Sequence, residues 1–415
     1  MMVTNELIGK YKIIKFIAQG ISAKVYLGEK KGKKYALKKL NQPINFNLLK
    51  QELLVLNRLN DLNPIIKFYG CEIIDQQFYL IFDYAKNGDL EEYIYQHGTF
   101  NEDQIIDFLE KTINRFKQYK NIKLLHNDIK PSNFILKDDD FYLIDWGISK
   151  FGDTIETIYR EGNPNYIAPE MYEGERTFKS MIYSLGCCLY FIATGIAPFN
   201  ARPEMSHDTK FYLHYEYMPD LSLIDSKLIA YVIYRMLDKN PKTRINIKEL
   251  IYLLKTKEYP KDKKYQAPVI KHDISDTYSL LHHLASKNIP HAQFRLGVNY
   301  EEDNRYHKAR QWYYLAIKNN SWPMAECNLG ILLQKGVGGD KDYSLAYNYL
   351  FLASLKNIAK AQYYLALQLE KGLGVTKNLA LSTHWYKQSA INGEIKAVRK
   401  VKELNIPLIY EDYIL

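Results

Sequence analysis

The sequence predicts an α+β region followed by an all-α solenoid of helical hairpins, and three patterns carry that expectation. Residues 11–40 read as three short strands separated by turns. Residues 124–147, LLHNDIKPSNFILKDDDFYLIDWG, hold two apolar runs around the polar turn Lys137-Asp138-Asp139-Asp140, which reads as a β-hairpin. Beyond residue 276, related segments recur 33 and then 36 residues apart, the spacing of stacked helical hairpins.

With 415 residues, two or three domains are expected. Hydrophobic residues at 47% and charged residues at 25% describe a globular chain rather than a disordered one. The net charge of +9 is dispersed, with its densest runs at 30–34 and 261–264, so it reads as solvated surface and no nucleic-acid partner is expected. Cysteines at 71, 187, 188 and 327 lack paired spacing and read as thiols in a reducing compartment. No basic-then-apolar leader opens the chain. Residues 182–199 form an uncharged run, but glycine, serine, threonine and proline interrupt it, so it reads as a buried core helix and no membrane span is expected.

The hairpin has a chemical consequence. Antiparallel strands joined by a tight turn begin and end together, so Asn133 before the first strand and Asp145 after the second offer oxygens at one point. Such a pair suits Mg²⁺, a hard cation that takes one or two protein ligands together with substrate phosphates. Asp128 adds a third carboxylate on the preceding loop.

These residues carry a resemblance. His126-Asn127-Asp128-Ile129-Lys130-Pro131-Ser132-Asn133 resembles the protein-kinase catalytic loop, H-R-D-x-K-x-x-N, and Asp145-Trp146-Gly147 resembles D-F-G. Upstream, the turn Ala18-Gln19-Gly20-Ile21-Ser22-Ala23 before Val25 is similar to the Gly-rich loop, with alanine at its outer glycine positions. Lys38 in Tyr35-Ala36-Leu37-Lys38 precedes a helix predicted over 46–60, whose Leu49, Leu53, Leu56 and Leu59 share a face and which carries Glu52. Asn63-Pro64-Ile65-Ile66 and strands near Lys67-Phe68-Tyr69 and Phe78–Phe82 are expected to complete a small β-rich lobe. Phe82 and Asp83-Tyr84-Ala85 resemble the gatekeeper and hinge, and Asp89 opens the next helix as a ribose or substrate contact or as a cap. Ala168-Pro169-Glu170 resembles A-P-E, and Arg244 matches the arginine that pairs with its glutamate.

The resemblance implies a bilobal kinase fold over about 8–258, with an N-lobe to residue 85 and a C-lobe from 86, followed by a linker over 259–275. It implies ATP with Mg²⁺, or Mn²⁺ in its place, held at Asn133 and Asp145. Asp128 and Lys130 are the implied catalytic residues, with Lys130 favouring the serine/threonine class. Nucleotide contacts are implied at Ala18, Gly20, Val25, Ala36, Lys38, Glu52, Phe82, Asp83, Ala85, Asn133 and Asp145.

Four departures stand beside the match. Asn127 replaces the arginine that receives an activation-loop phosphate, which predicts activity independent of phosphorylation at Thr154, Thr157 or Tyr159. Trp146 replaces Phe, Asn163 replaces Thr, and Met181 replaces the Asp that holds the catalytic-loop backbone.

In the repeat region, 276–405, Ala292, Ala325, Ala361 and Ala397 head successive first helices; Trp312, Tyr349 and Trp385 recur in the second helices. Gly336-Val337-Gly338-Gly339 and Gly372-Leu373-Gly374-Val375 have no preceding strand and read as interhelical turns, with a tighter turn in the first repeat. Together these resemble Sel-one-like repeats, relatives of the tetratricopeptide family, which implies a protein partner on a concave surface.

The leading functional expectation is a protein kinase acting on a protein substrate. A pseudokinase scaffold and a kinase-fold enzyme acting on a non-protein substrate stand as alternatives. A cytoplasmic location is expected; the architecture and the A/T-rich codon usage of its abundant Tyr, Asn, Ile and Lys also suit a bacterial effector in a host cytosol, or a protist protein.

Overall fold

The structure, a computed structural model, describes residues 7–407 apart from 21, 43, 63–65, 157–161, 267–268 and 270–271. Most of the segment Asn63-Pro64-Ile65-Ile66 therefore falls outside the described residues, as does Ile21 of the Gly-rich turn.

The first part is a six-stranded antiparallel sheet in the order β1-β2-β3-β4-β6-β5, formed by β1 (Leu7–Ile8), β2 (Tyr11–Gln19), β3 (Ala23–Lys30), β4 (Lys33–Leu40), β5 (Phe68–Ile74) and β6 (Gln77–Asp83). Helix α1 (Phe46–Asn60) follows β4, and its leucine face behaves as the spacing predicts: Leu49, Leu53, Leu56 and Leu59 are buried. Asn45 caps this helix, its Oδ1 accepting from the Leu48 N–H at 3.1 Å.

The second part is mostly helical. It contains α2 (Leu90–His97), α3 (Glu102–Asn121), β7 (Leu124–Leu125), the hairpin β8 (Phe134–Lys137) and β9 (Asp140–Leu143), then β10 (Lys150–Phe151), β11 (Thr154–Glu156), α4 (Pro169–Tyr172) and β12 (Glu175–Thr177). Helix α5 (Phe178–Thr194) is buried continuously from Ser180 to Ile192. It accounts for most of the uncharged run, but ends before Pro198 because Gly195 adopts the left-handed φ of 74° that closes the helix. No helix among the described residues is long and apolar enough to cross a membrane. Helices α6 (His207–Glu216), α7 (Lys227–Met236) and α8 (Ile247–Thr256) complete this part. In the following segment Tyr259 stacks on Tyr231 and Tyr265 packs on Tyr234, so this polar stretch runs along the helices.

The solenoid begins with α9 (Thr277–Ser286). Three hairpins follow, α10/α11 (Pro290–Glu302, Tyr306–Asn320), α12/α13 (Pro323–Lys335, Tyr343–Leu355) and α14/α15 (Ala359–Lys371, Leu379–Ile391), and then α16 (Ile395–Glu403). Small residues sit where helices meet: a Cβ at Gly297 would come within 2.5 Å of the Tyr313 ring, and one at Gly330 within 2.8 Å of Leu350. The glycine turns stack one repeat on the last. Gly338 (φ 79°) lies against the backbone of Tyr306 and Gly374 (φ 69°) against that of Tyr343, each too close for any side chain. The first hairpin lacks such a turn, and the ends of α10 and α11 are correspondingly nearer in sequence than those of α12 and α13.

Candidate active site

The β8–β9 hairpin closes through Asp138 and Asp139, both left-handed at φ 51° and 58°, a two-residue turn that short polar residues tolerate. Its open end sets Asn133 against Ile144, the residue before Asp145: the Ile144 N–H donates to the Asn133 carbonyl at 2.8 Å.

Asp128 is held from three sides. Its Oδ1 accepts from the Asn163 N–H at 3.0 Å, and its Oδ2 from Lys130 Nζ at 2.8 Å and Asn133 Nδ2 at 2.9 Å. Asn133 Nδ2 also donates to the Asp128 carbonyl at 2.7 Å. With its amide hydrogens turned to Asp128, Asn133 presents its carbonyl oxygen as an acceptor, the chemistry a hard cation needs. Asp145 meets Lys38 through Oδ1 and is half-exposed. The donor set therefore fits a Mg²⁺-type ion.

His126, fully buried, ties this loop to the hairpin. The Asp128 N–H donates to Nδ1 at 3.2 Å, so Nε2 carries the proton and donates to the Ile144 carbonyl at 2.9 Å. Burial pulls its pKa down to about 4, which keeps it neutral and able to accept.

Across the cleft, Lys38 Nζ lies 2.8 Å from Glu52 Oε1 and 2.8 Å from Asp145 Oδ1. Burial disfavours its ammonium form, but the two carboxylates outweigh burial and hold its pKa above the ordinary lysine range. Lys38 in turn holds the Asp145 carboxyl below its usual range. The sheet register sets these residues side by side: Ala18 opposes Val25, Val25 opposes Lys38, and Ala36 opposes Phe82. Gly20 donates its N–H to the Ala23 carbonyl at 2.8 Å, closing the turn. The carboxylate of Asp83 is occupied by Tyr69 Oη at 2.9 Å and Lys33 at 3.1 Å, and its N–H donates to the Lys67 carbonyl at 2.9 Å. Ala85 follows, buried, and Asp89 acts as a cap whose Oδ1 accepts from the Glu92 N–H at 2.9 Å.

Glu170 and Arg244 form a buried bidentate pair at 2.6 and 2.9 Å, and Ser180 Oγ donates to the same carboxylate at 2.8 Å.

The departures acquire physical accounts. Asn127 sits at φ 69°, a conformation Asn accepts readily, and its Nδ2 donates to the Ile148 carbonyl at 3.0 Å, so it fastens the catalytic loop to the segment after Gly147. Trp146 is buried edge-on to His126 and Tyr119, ring centroids 4.5 and 5.1 Å apart. Asn163 touches Asp128 through its backbone N–H rather than its side chain, and Gly162 permits this approach, because a Cβ there would stand 2.8 Å from the Asn127 carbonyl. Met181 is buried in the apolar core, and the Asp128 N–H donates to His126 Nδ1. The Thr154 side chain, Thr157 and Tyr159 lie outside the described residues.

Sequence reasoning missed three contributors. Gln51, beside Glu52, donates to the Ser149 carbonyl at 3.2 Å, and Ser149 Oγ donates to the His126 carbonyl at 2.9 Å, which links α1 to the catalytic loop. Glu91 lies close to Lys130 and Ser132, its carboxyl pushed up by burial and by Asp89. Single polar residues of this kind leave no signal in a sequence, because only the fold brings them to the site.

The protein kinase domain family matches residues 11–253, and the Sel1 repeat family matches 290–321, 323–357 and 359–394. The chain belongs to the protein kinase family. It joins a protein kinase domain to three Sel1 repeats. It is 30% identical over 249 residues to the serine/threonine-protein kinase RUNKEL of Arabidopsis thaliana, covering 58% of this chain and 18% of that protein. Over 265 residues it is 28% identical to the CBL-interacting serine/threonine-protein kinase 14 of the same plant, covering 60% and 58%. It is also 28% identical over 228 residues to the calcium-dependent protein kinase 5 of Plasmodium berghei, covering 52% and 40%. The chain spans less than two thirds of the length of each of these relatives.

Proposed function

We propose that this chain transfers the γ-phosphate of ATP to serine or threonine of a protein substrate, and that its Sel1 repeats dock a protein. The observation that carries the reading is Lys38 set between Glu52 and Asp145 at 2.8 Å each, in a cleft whose other wall presents Asp128, Lys130 and Asn133. In this reading residues 8–258 and 276–405 work as two units joined by 259–275.

Lys38 binds the phosphates, Glu52 orients Lys38, and the sheet positions Ala18, Gly20, Val25, Ala36 and Phe82 line the nucleotide, with the backbone of Asp83 and Ala85 toward its base. Asp128 orients the substrate hydroxyl and accepts its proton as the oxygen attacks the γ-phosphorus and the bond to the β-phosphate oxygen breaks. Lys130, bonded to Asp128, neutralises charge at the transferred group. Asn133 and Asp145 would hold Mg²⁺ (or Mn²⁺), which when bound supplies charge neutralisation on the phosphates. Most of the work assigned to the protein is positioning and electrostatics.

The test is transfer of labelled phosphate from ATP to a serine/threonine peptide library by wild type and by Asp128→Asn. Transfer by wild type that Asp128→Asn abolishes is the expected result. Equal background in both overturns the enzyme reading and leaves a scaffold.

A further inference from the structure

The two ends of the solenoid touch the two lobes of the kinase domain. At its start, Arg295 grips Asp208 of α6 with both carboxylate oxygens, at 2.9 and 3.0 Å, and Lys287 pairs with Glu216 at 2.6 Å. At its far end, the turn after α15 reaches the first turn of α1, the helix that carries Glu52. Asn45 Nδ2 donates to the Asn392 carbonyl at 3.2 Å, and Asn47 Nδ2 donates to Asn392 Oδ1 at 2.7 Å.

Three details make this more than a grazing contact. Asn392 is buried, and its own Nδ2 donates to Gln362 Oε1 at 2.9 Å, so its side chain is oriented from within the repeats. Gln362 is buried too and donates to the Ser354 carbonyl at 3.2 Å, which extends the chain of hydrogen bonds into α13. Ile391, beside Asn392, is buried in the apolar cluster that includes Ile44, Phe46 and Leu49. Asn45 works in both directions, since its Oδ1 caps α1 while its Nδ2 reaches the repeat.

A helix moves as a rigid rod, and Glu52 lies five and seven residues beyond Asn47 and Asn45, roughly 8–10 Å along the axis at 1.5 Å per residue. Fixing the first turn therefore constrains where Glu52 points. The other anchor, Arg295 on Asp208, holds the same solenoid to the opposite lobe.

From this geometry we propose that Asn392 is a positioning residue for phosphoryl transfer. Through Asn45 and Asn47 the last Sel1 repeat holds the Glu52 helix in the orientation that keeps Glu52 on Lys38. The role rests on the proposed kinase activity.

The test uses the full chain with Asn392→Ala and, separately, Asn45→Asp. Aspartate caps a helix as well as asparagine does, so Asn45→Asp keeps the cap and puts an oxygen that cannot donate against the Asn392 carbonyl, while Asn392→Ala removes the Oδ1 that Asn47 donates to. Two readouts apply: amide hydrogen exchange over 46–56, and kcat/KM for ATP measured by phosphate release with Mg²⁺. Both variants are expected to exchange about tenfold faster across that helix, and kcat/KM for ATP is expected to fall roughly five- to twentyfold with exchange over 290–357 unchanged. Unchanged exchange over 46–56 in both variants overturns the proposal, and so does a loosened helix with unaltered kcat/KM. A wild type without turnover sinks the kinase reading and with it the catalytic role of Asn392; the exchange comparison then still decides whether the repeat holds the helix.

Discussion

Two ion pairs, one in each lobe, use the same chemistry to opposite ends. Lys38 and Glu52 line a cleft, and the lysine is shared with Asp145, whose side chain is 44% exposed. Glu170 and Arg244 lie in the C-lobe core with the arginine side chain wholly buried. The C-lobe pair is saturated: Arg244 also donates to the Asp238 and Lys179 carbonyls, each at 2.8 Å, and Ser180 fills the carboxylate. Saturation leaves no valence for a ligand, so this pair fixes the fold. The cleft pair shares one cation between two carboxylates at a solvent-facing edge, where an anionic ligand can compete for it.

That contrast predicts effects of different kind and size. The largest belongs to the loop facing the cleft pair: Asp128→Asn should lower phosphate transfer by about 10³-fold or more with little change in melting temperature, checked by single-turnover kinetics. Lys38→Met should cost roughly 10²-fold in kcat/KM for ATP, with a smaller loss of stability because it leaves Glu52 without its cation at the cleft edge. Arg244→Ala should do the reverse, because it strands a buried carboxylate. A loss of about 3–5 kcal/mol in urea denaturation is expected, and an activity loss without that destabilisation would erase the contrast between the two pairs.

Acid offers a smaller, graded test. Burial holds His126 near a pKa of about 4 and His214 near about 3. Both lie below the unfolded value near 6.5, so their share of stability is whole above pH 6.5 and is lost as pH falls from there toward 4, while the unfolded chain takes up protons that the folded one refuses. The loss should approach the order of 3 kcal/mol per histidine. Urea midpoints between pH 7 and 4 measure it, and His214→Phe should flatten the slope. The smallest effect concerns Asn127, which spends its amide on Ile148. Thr154→Ala with Thr157→Ala should leave turnover within about twofold, because Asn127 offers no cation to a phosphate there. Loss of turnover in a folded protein would reassign phosphate recognition to another cation.

Local patterns make much of the site readable. The hairpin around Asp138 and Asp139, the leucine face of α1, the Glu170–Arg244 pair and the glycine turns each follow from short-range spacing or motif, and the structure contains all of them. The uncharged run reads correctly as a core helix, but its composition does not place the end: Gly195 closes α5 and the last residues of the run turn away. Asn127 and Met181 look in the sequence like lost supports of the catalytic loop. In the structure Asn127 donates to the Ile148 carbonyl and Met181 packs in the apolar core, while His126 accepts from the Asp128 N–H.

Sequence by itself determined the family, the order of the motifs and the repeat period, because each depends on residues close along the chain. Tertiary structure alone decided which polar groups meet across distance: Gln51 on Ser149, Glu91 beside Lys130, and Asn392 on the first turn of α1, 345 residues from Asn47. A hydrogen bond over such a separation leaves no period and no motif. It exists only because two folded surfaces present a donor and an acceptor at the same place.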